Sequence, residues 1–390
     1  MSDIFNRPVE LIPVEWDSEL TDLIIDLEHF RRRRYGGTTP APMFYELKAL
    51  FHLLESLGSA RLEGNRTAIA EIIEENINPK KGGKLDEGQQ EIRNIENALQ
   101  YIDEYILNGR KINDSFIREV HKKIVKDLTP PPDGEGDHTP GQYREVPVII
   151  TGSDLKPPAS KVLVTSNMAS LVSFIQADHV PKHALLKTAI AHHRFTAIHP
   201  FGNGNGRTVR ALTYAMLLQQ GFSVANAGRI LNPTAIFCND RSTYVAMLAT
   251  ADKGTNEDLL LWCEYVIKGL NTEIQKIDYL TDYKYVRKSI LLPAVEDAIE
   301  RKSISPEQAA ILRLALRKKL PIKSSDIADI MPELNSLSRT RLIGKMVKLN
   351  LLKPAAENQR KYVISFSNSY LLRGVVEQLR LLGFIPGALT

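Results

Sequence analysis

Cysteine is nearly missing from this sequence. Cys238 and Cys263 are the only two, too few for a disulfide framework, so a reducing compartment is expected and the cytoplasm is the simplest one. Long apolar runs are missing too: stretches such as DLLLWCEYVI, Asp258 to Ile267, meet a charge well before the roughly 18 residues that a membrane span needs. No span is predicted. The opening MSDIFNRPVELIPVEW has no basic stretch leading into an apolar one, which predicts no secretory leader. Strand signals are scarce. Over the first 300 residues REVPVIITG, Arg144 to Gly152, is nearly the only stretch with the β-branched density of a strand or hairpin arm. No fixed-period repeat is present, and the main body reads as mostly α.

What the sequence does have is a length of 390 residues, enough for two or three domains, and a formal net charge of only +4 that hides an asymmetry. Residues 301–361 carry 14 Lys and Arg against 5 Asp and Glu, a balance of +9, and the remainder carries −5. The C-terminal part is therefore a separate electrostatic unit. Apolar spacing predicts helices over LTDLIIDLEHFRRRR, Pro42–Leu57, Gln89–Leu107, Ser160–Ala177 and His183–Ala197. Breakers predict loops at Asn78–Gly88 and Thr129–Gly141. The run Arg31 to Arg34 reads either as a solvated helix end, where cations suit the dipole, or as a patch for an anionic ligand.

The densest chemistry lies in HPFGNGNGR, His199 to Arg207. Gly and Asn tolerate left-handed backbone angles, so the run predicts a tight turn whose amides face a ligand. Val209, Leu212 and Met216 recur at helical spacing, so a helix starts near Gly206. Arg207 and Arg210 then sit in its first turn, where the dipole prefers anions, and something negative is expected to compensate. Free amides, a positive helix end and two forked cations make a polyphosphate cradle, distinct from a Walker loop because no Lys-Ser/Thr ending follows. His199, just ahead of that positive end, is disfavoured as imidazolium and is the candidate proton acceptor. Phe201 reads as core packing.

The string His199-Pro200-Phe201-Gly202-Asn203-Gly204-Asn205-Gly206-Arg207-Thr208-Val209-Arg210 closely resembles the HPFx(D/E)GNGRxxR signature of Fic-domain proteins. The resemblance implies a helical fold that transfers AMP from ATP to a hydroxyl of a target protein, with self-modification also open. It implies that His199 is the general base, that Gly202, Asn203, Gly204, Asn205 and Gly206 line the anion-binding turn, and that Arg207 and Arg210 hold the phosphates. Where the signature has an acidic residue that binds Mg²⁺ (or Mn²⁺), this sequence has Asn203. An amide oxygen can ligate such an ion but lacks the charge a hard dication favours, so activity that is weakened, that uses another ligand or that is absent is expected. Upstream, Ser59-Ala60-Arg61-Leu62-Glu63-Gly64-Asn65 resembles the family's inhibitory motif (S/T)xxxE(G/N), which implies that Glu63 pairs with Arg210 and blocks the productive triphosphate pose.

GQYREVPVIITG resembles the family's flap, a hairpin beside the active site, and Val146, Pro147, Val148, Ile149 and Ile150 are the residues expected to align a target segment by strand addition. NDRSTYVAMLATADKGTNEDLLLWCEYV resembles the family's later helices, which implies that Tyr244 helps enclose the nucleotide base, a place that packing would explain almost as well. From Ser305 onward, three short helical segments and the strand-like RKYVISF follow the order of a winged helix-turn-helix, with Ser324 or Ser325 as an N-cap and Pro332 as a stop. Arg339, Arg341, Lys345 and Lys348, with Arg360 and Lys361, are candidate DNA-phosphate contacts, and protein recruitment is the alternative.

The expected architecture is thus a mostly α Fic helical bundle with a β-hairpin flap and a small C-terminal winged-helix domain. Its expected parts are an N-terminal helical region with the inhibitory motif (1–110), a catalytic core (111–275), a helical linker (276–304), the winged helix-turn-helix (305–370) and a tail (371–390). The expected function is an autoinhibited protein adenylyltransferase using ATP, with a homo-oligomer possible and no membrane partner. The rivals are a catalytically weakened scaffold serving as a DNA-binding or docking regulator, transfer of a different nucleotide, and removal of AMP.

Overall fold

The structure is a computed structural model and describes residues 4–32, 37–77, 85–150, 152–178, 180–222, 234–238, 240–319, 321–355 and 358–385. Its order is α1 (Glu19–Arg32), α2 (Ala41–Leu62), α3 (Ile69–Ile77), α4 (Glu87–Leu107), α5 (Asp114–Ile124), α6 (Lys161–Gln176), α7 (Ala184–Ile198), α8 (Asn205–Gln219), α9 (Thr234–Cys238), α10 (Arg241–Ala251) and α11 (Asn256–Thr281). Then come the one-turn α12 (Tyr283–Tyr285), α13 (Leu292–Glu300), α14 (Pro306–Lys318), α15 (Ser336–Lys348), β1 (Leu352–Ala355), β2 (Asn358–Ile364) and α16 (Leu371–Leu381). The fold is mostly α, and among the described residues no helix is long and apolar enough to cross a membrane.

Capping sets where these helices begin. The Asp86 carboxylate accepts Gln89 N–H at 2.8 Å while the Gln89 side chain returns to Asp86 N–H, a reciprocal box opening α4. Asn113, Ser160, Asp240 and Asn335 cap α5, α6, α10 and α15 through one side-chain acceptor each. Ser305 boxes with Gln308 ahead of Pro306, which opens α14 without leaving a donor unmet.

The chain divides into two compact units. The first comprises residues 1–34, 52–67 and 85–275. In it α8 packs against α4, α5 and α7 and is buried on nearly every side, as a central bundle helix must be. Val209, Leu212 and Met216 are all within 3 % of complete burial. Trp262 of α11 is fully enclosed, and its indole N–H reaches the Ala189 carbonyl at 2.8 Å, so its one polar atom is satisfied.

The second unit comprises residues 35–51, 68–84 and 276–390. β1 and β2 pair antiparallel from Leu352–Ile364 to Ala355–Asn358, with Ile322 bridging to Tyr362. α16 packs on α13 so closely that a Cβ on Gly374 would lie 2.7 Å from the Ala294 Cα. Glu46 is a buried hub that accepts the N–H groups of Phe366 and Ser367 and the ammonium of Lys353. Burial raises the carboxyl's pKa, but those donors outweigh it and hold the group below its ordinary value.

Several expectations differ from this arrangement. The N-terminal 110 residues do not cluster as one region: 35–51 and 68–84 belong with the C-terminal segments, because the Glu46 hub and the α3–α16 packing draw them there. Residues 276–304 and 371–390 supply α13 and α16 to that unit's core rather than a linker and a tail. No strand pairing occurs over residues 146–150 or at 152. The structure's hairpin is β1–β2 instead. Pro147 lacks a donor, which removes one ladder hydrogen bond from the segment. Of the run Arg31 to Arg34, the last two residues lie outside the described ones.

Candidate active site

The turn between α7 and α8 is built before any ligand is considered. His199 ends α7 in a left-handed conformation at φ 50°, uncommon for a residue with a Cβ, and its N–H still closes on the Phe195 carbonyl. Arg144 holds the turn from outside: its Nε reaches His199 O at 2.7 Å, its Nη2 reaches Ile198 O and Pro158 O, and its backbone N–H reaches Pro200 O. From inside, the Asn205 amide clamps Phe201, accepting its N–H and donating to its carbonyl, both at 2.9 Å. Phe201 is fully buried and stacks on His121 with ring centroids 3.7 Å apart.

His121 also fixes the turn by its tautomer. Its Nδ1 accepts Gly141 N–H at 2.9 Å, so the ring proton is on Nε2, which donates to Asn203 O at 3.0 Å. Burial lowers its pKa to about 4, which keeps that neutral form in place. Gly204 opens α8 at φ 73°, where a Cβ would meet Val125 at 2.8 Å, so glycine is required on both counts. No side chain caps α8, and its first amides are left for an anion.

A cavity of about 140 Å³ lies at this helix mouth, lined by Glu63, His199, Asn205, Gly206, Arg210 and Tyr244. Glu63 follows α2, and its Oε1 accepts Arg210 Nη2 at 2.6 Å. The same carboxylate lies against the turn: a Cβ on Gly206 would be 2.1 Å from it. It is therefore the negative group at the start of α8. Burial pushes its pKa up, but the charges of Arg210 and Arg207 and the Arg210 hydrogen bond push it further down, so it is ionised. The Arg210 guanidinium is buried, and Ser59 holds it through both Oγ and O at 2.9 Å.

His199 points its Nδ1 at the Thr196 carbonyl at 3.4 Å, which places the proton there and leaves the Nε2 lone pair free. Burial lowers its pKa to about 4, aided by the Arg144 charge and opposed by the Thr196 bond and by Glu63, so it is neutral at pH 7. Tyr244 is buried, and its hydroxyl meets His192 Nε2 at 2.9 Å. Thr213 already donates to Val209 O, so His192 Nδ1 donates to Thr213 and its Nε2 takes the tyrosine proton.

The structure does not bring every candidate to this cavity. Arg207 turns away: it is 1 % exposed, and its two Nη groups donate to Glu91 Oε1 at 2.6 Å, Glu135 O at 2.8 Å and Glu135 Oε2 at 3.3 Å. The acids of α4 and the 129–141 loop hold it in an internal ion pair, and it is not among the residues lining the cavity. Removing one partner of a buried pair strands the other charge. Arg207→Ala is expected to lower folding stability by about 3–5 kcal/mol in a urea titration, while a phosphate-only role predicts no loss.

Asn203 does not fit a metal ligand. Its Oδ1 accepts Gly204 N–H at 2.8 Å, its Nδ2 is the end turned to Glu135, its backbone N–H is held by Asp137, and it does not line the cavity. No group of three or more His, Cys, Asp or Glu among the described residues is placed to hold a metal. Gly202 and Gly204 shape the turn from behind. Of the flap residues Ile150 lines the cavity, while Val146 and Ile149 are exposed and Pro147 and Val148 stay off it.

The sequence reading missed several residues. Asp252 lines the cavity and joins His193 Nε2 at 2.8 Å to Ser153 Oγ at 2.6 Å, and Arg241 Nε holds Leu62 O just ahead of Glu63. Arg144, His121 and Glu91 support the turn. Arg144 stands in the flap-like stretch but was given no role there, and the sequence signal of His121 and Glu91 is only polarity inside helices with apolar faces.

Comparison with known proteins is consistent with this geometry. Residues 111–217 match the model of the Fic/DOC family. The chain is 28 % identical over 206 residues to a protein adenylyltransferase Fic of Drosophila erecta, covering 52 % of this chain and 37 % of that one. It is 28 % identical over 173 residues to one of Nematostella vectensis, covering 44 % and 36 %. The chain thus spans less than two-fifths of the length of these curated relatives. A crystal structure of a Fic family protein from Desulfovibrio desulfuricans G20 shares the fold with a TM-score of 0.54 at 16 % identity, covering 92 % of this chain and 98 % of that one. A Fic-domain signalling protein from Bacteroides thetaiotaomicron gives 0.50 at 20 %, covering 68 % and 97 %.

Proposed function

We propose that the chain is an autoinhibited protein adenylyltransferase, moving AMP from ATP to a Ser, Thr or Tyr hydroxyl of a target protein or of itself. One observation carries this reading: a neutral His199, the open amides of α8 and the Arg210 guanidinium surround one cavity, and the Glu63 carboxylate occupies the guanidinium. The relatives named protein adenylyltransferase support AMP transfer in general for the segment they share.

In this reading the target hydroxyl oxygen bonds to the α-phosphorus of ATP, the bond from that phosphorus to the oxygen bridging the β-phosphate breaks, and pyrophosphate leaves. The hydroxyl proton passes to Nε2 of His199. Arg210 and the first amides of α8 bind the phosphates once Glu63 withdraws. The cavity of about 140 Å³ supports the inhibited state, being smaller than the roughly 300 Å³ at which ligand pockets begin. Neither a metal at Asn203 nor a weakening through it belongs to this reading, given how that side chain is turned.

The test is to incubate wild type, Glu63→Gly and His199→Ala with ATP and Mg²⁺ or Mn²⁺ and weigh the intact protein. A gain equal to AMP in Glu63→Gly, absent in His199→Ala, is expected. No adduct with any nucleotide or metal would replace the enzyme by a scaffold.

A second reading concerns the other unit. On α15, Arg341, Lys345 and Lys348 are exposed at i, i+4 and i+7 and make no salt bridge among the described residues, a basic stripe that suits a winged-helix recognition helix on DNA. A duplex mobility shift is expected that weakens with salt, and Lys345→Glu should lower the salt slope by about 1. Absence of a shift at low salt would leave protein docking.

A further inference from the structure

A second cavity of the first unit, about 350 Å³, is larger than the one at the α8 mouth. It lies at the opposite end of the α7–α8 pair, about 20 Å away along helices that rise about 1.5 Å per residue. Its volume falls inside the roughly 300–1,000 Å³ range of small-molecule sites, and nothing in the transfer reaction uses it.

Three cations from three elements line it: Arg31 at the end of α1, Lys111 ahead of α5 and Lys187 in the first turn of α7, against one acid, Asp178. Glu28 neutralises Arg31 in part, and Arg31 Nη1 also donates to Gln220 O. Lys111 is exposed and has no acidic partner among the described residues. Lys187 is 9 % exposed, and its ammonium, with three N–H donors, has one hydrogen-bond partner among the described residues, the Ala177 carbonyl at 2.7 Å. A buried ammonium with donors left over costs folding energy unless an acceptor fills the space.

The Gln220 side chain belongs to the wall itself. Both N–H groups of the Gln220 amide are taken, by Ala184 O at 2.8 Å and Thr188 Oγ1 at 2.7 Å. The Ala184 carbonyl can only accept, so the amide orientation is fixed and Oε1 faces the other way. That oxygen has no hydrogen-bond partner among the described residues and is shut off from solvent, so it lies behind the wall and out of a ligand's reach. What the cavity asks for is an oxyanion for the cations. Ile175 and Met216 add apolar wall for a carbon skeleton.

We propose that this cavity binds a small phosphate ester, its phosphate held by Lys187, Lys111 and Arg31 and its carbon skeleton resting on Ile175 and Met216. The patch at Arg31 thus serves an anionic ligand rather than only ending a helix.

Calorimetric titration of the full chain with glycerol 3-phosphate, inorganic phosphate and glycerol tests this. Glycerol 3-phosphate should bind saturably in the millimolar range or tighter, inorganic phosphate more weakly, and glycerol not at all. Lys187→Met and Lys111→Gln should each weaken binding about tenfold or more, the loss of one charge-assisted hydrogen bond. His199→Ala, at the other end of the helices, should leave it unchanged. Lys111 is exposed, so its variant keeps the test open if Lys187→Met fails to fold. No saturable binding overturns the proposal, as does binding that survives both lysine variants or disappears in His199→Ala. Equal affinity for inorganic phosphate overturns the ester assignment.

Discussion

Glu63→Gly is expected to raise AMP incorporation from radiolabelled ATP by about 10- to 100-fold over wild type. The figure follows from what the substitution releases. A charge-assisted hydrogen bond contributes about 1.5–3 kcal/mol, and a ligand that must displace it binds less well by the corresponding factor. Arg210 stays in place without Glu63, because Ser59 still holds its Nε and one Nη2 hydrogen. Removal of the carboxylate also clears the face of Gly206. Glu63→Gln separates charge from bulk: it keeps the size, loses the ion pair, and should fall between the two. Equal labelling of wild type and Glu63→Gly would remove the brake from the description of this site.

His199→Ala, made in the Glu63→Gly background, should lower transfer by about 10²- to 10⁴-fold, the usual contribution of a positioned general base. Nucleotide binding should persist, since Arg210 and the α8 amides are untouched. The pH dependence carries a second readout. The ring is a base only while neutral, and its pKa of about 4 lies below the ordinary value of 6.5. kcat/KM should therefore be level from about pH 7 down to about pH 5 and fall only as pH approaches 4. An ordinary exposed imidazole would lose activity near 6.5. Glu63 raises this pKa by its charge, so its removal moves the fall to lower pH still. An inflection near 6.5 would mean a solvated histidine, and unchanged transfer in His199→Ala would mean a different proton acceptor.

Much of the fold was legible because helix ends are written locally. Gln89–Leu107 was expected and Glu87–Leu107 is found, the shift coming from the Asp86 cap. Ser160 was read as the start of α6 and is its N-cap. The segment 146–150 misled for the converse reason. β-branched residues state a preference, but a strand needs a partner, and among the described residues none pairs with it.

In the candidate site, the sequence by itself determined the backbone. Glycine at 204, where no Cβ fits, and the Asn205 clamp on Phe201 make the turn and the helix mouth from within eight residues. Which charges face the cavity was decided only by the tertiary structure. Arg207 and Arg210 sit three apart on one helix and read alike. Glu91, 116 residues before Arg207, draws one guanidinium inward, and Glu63, 147 residues before Arg210, meets the other at the cavity. Backbone conformation is fixed by near neighbours and steric limits, whereas the partner of a long cationic side chain is whichever acid the packing delivers, so spacing along the chain cannot name it.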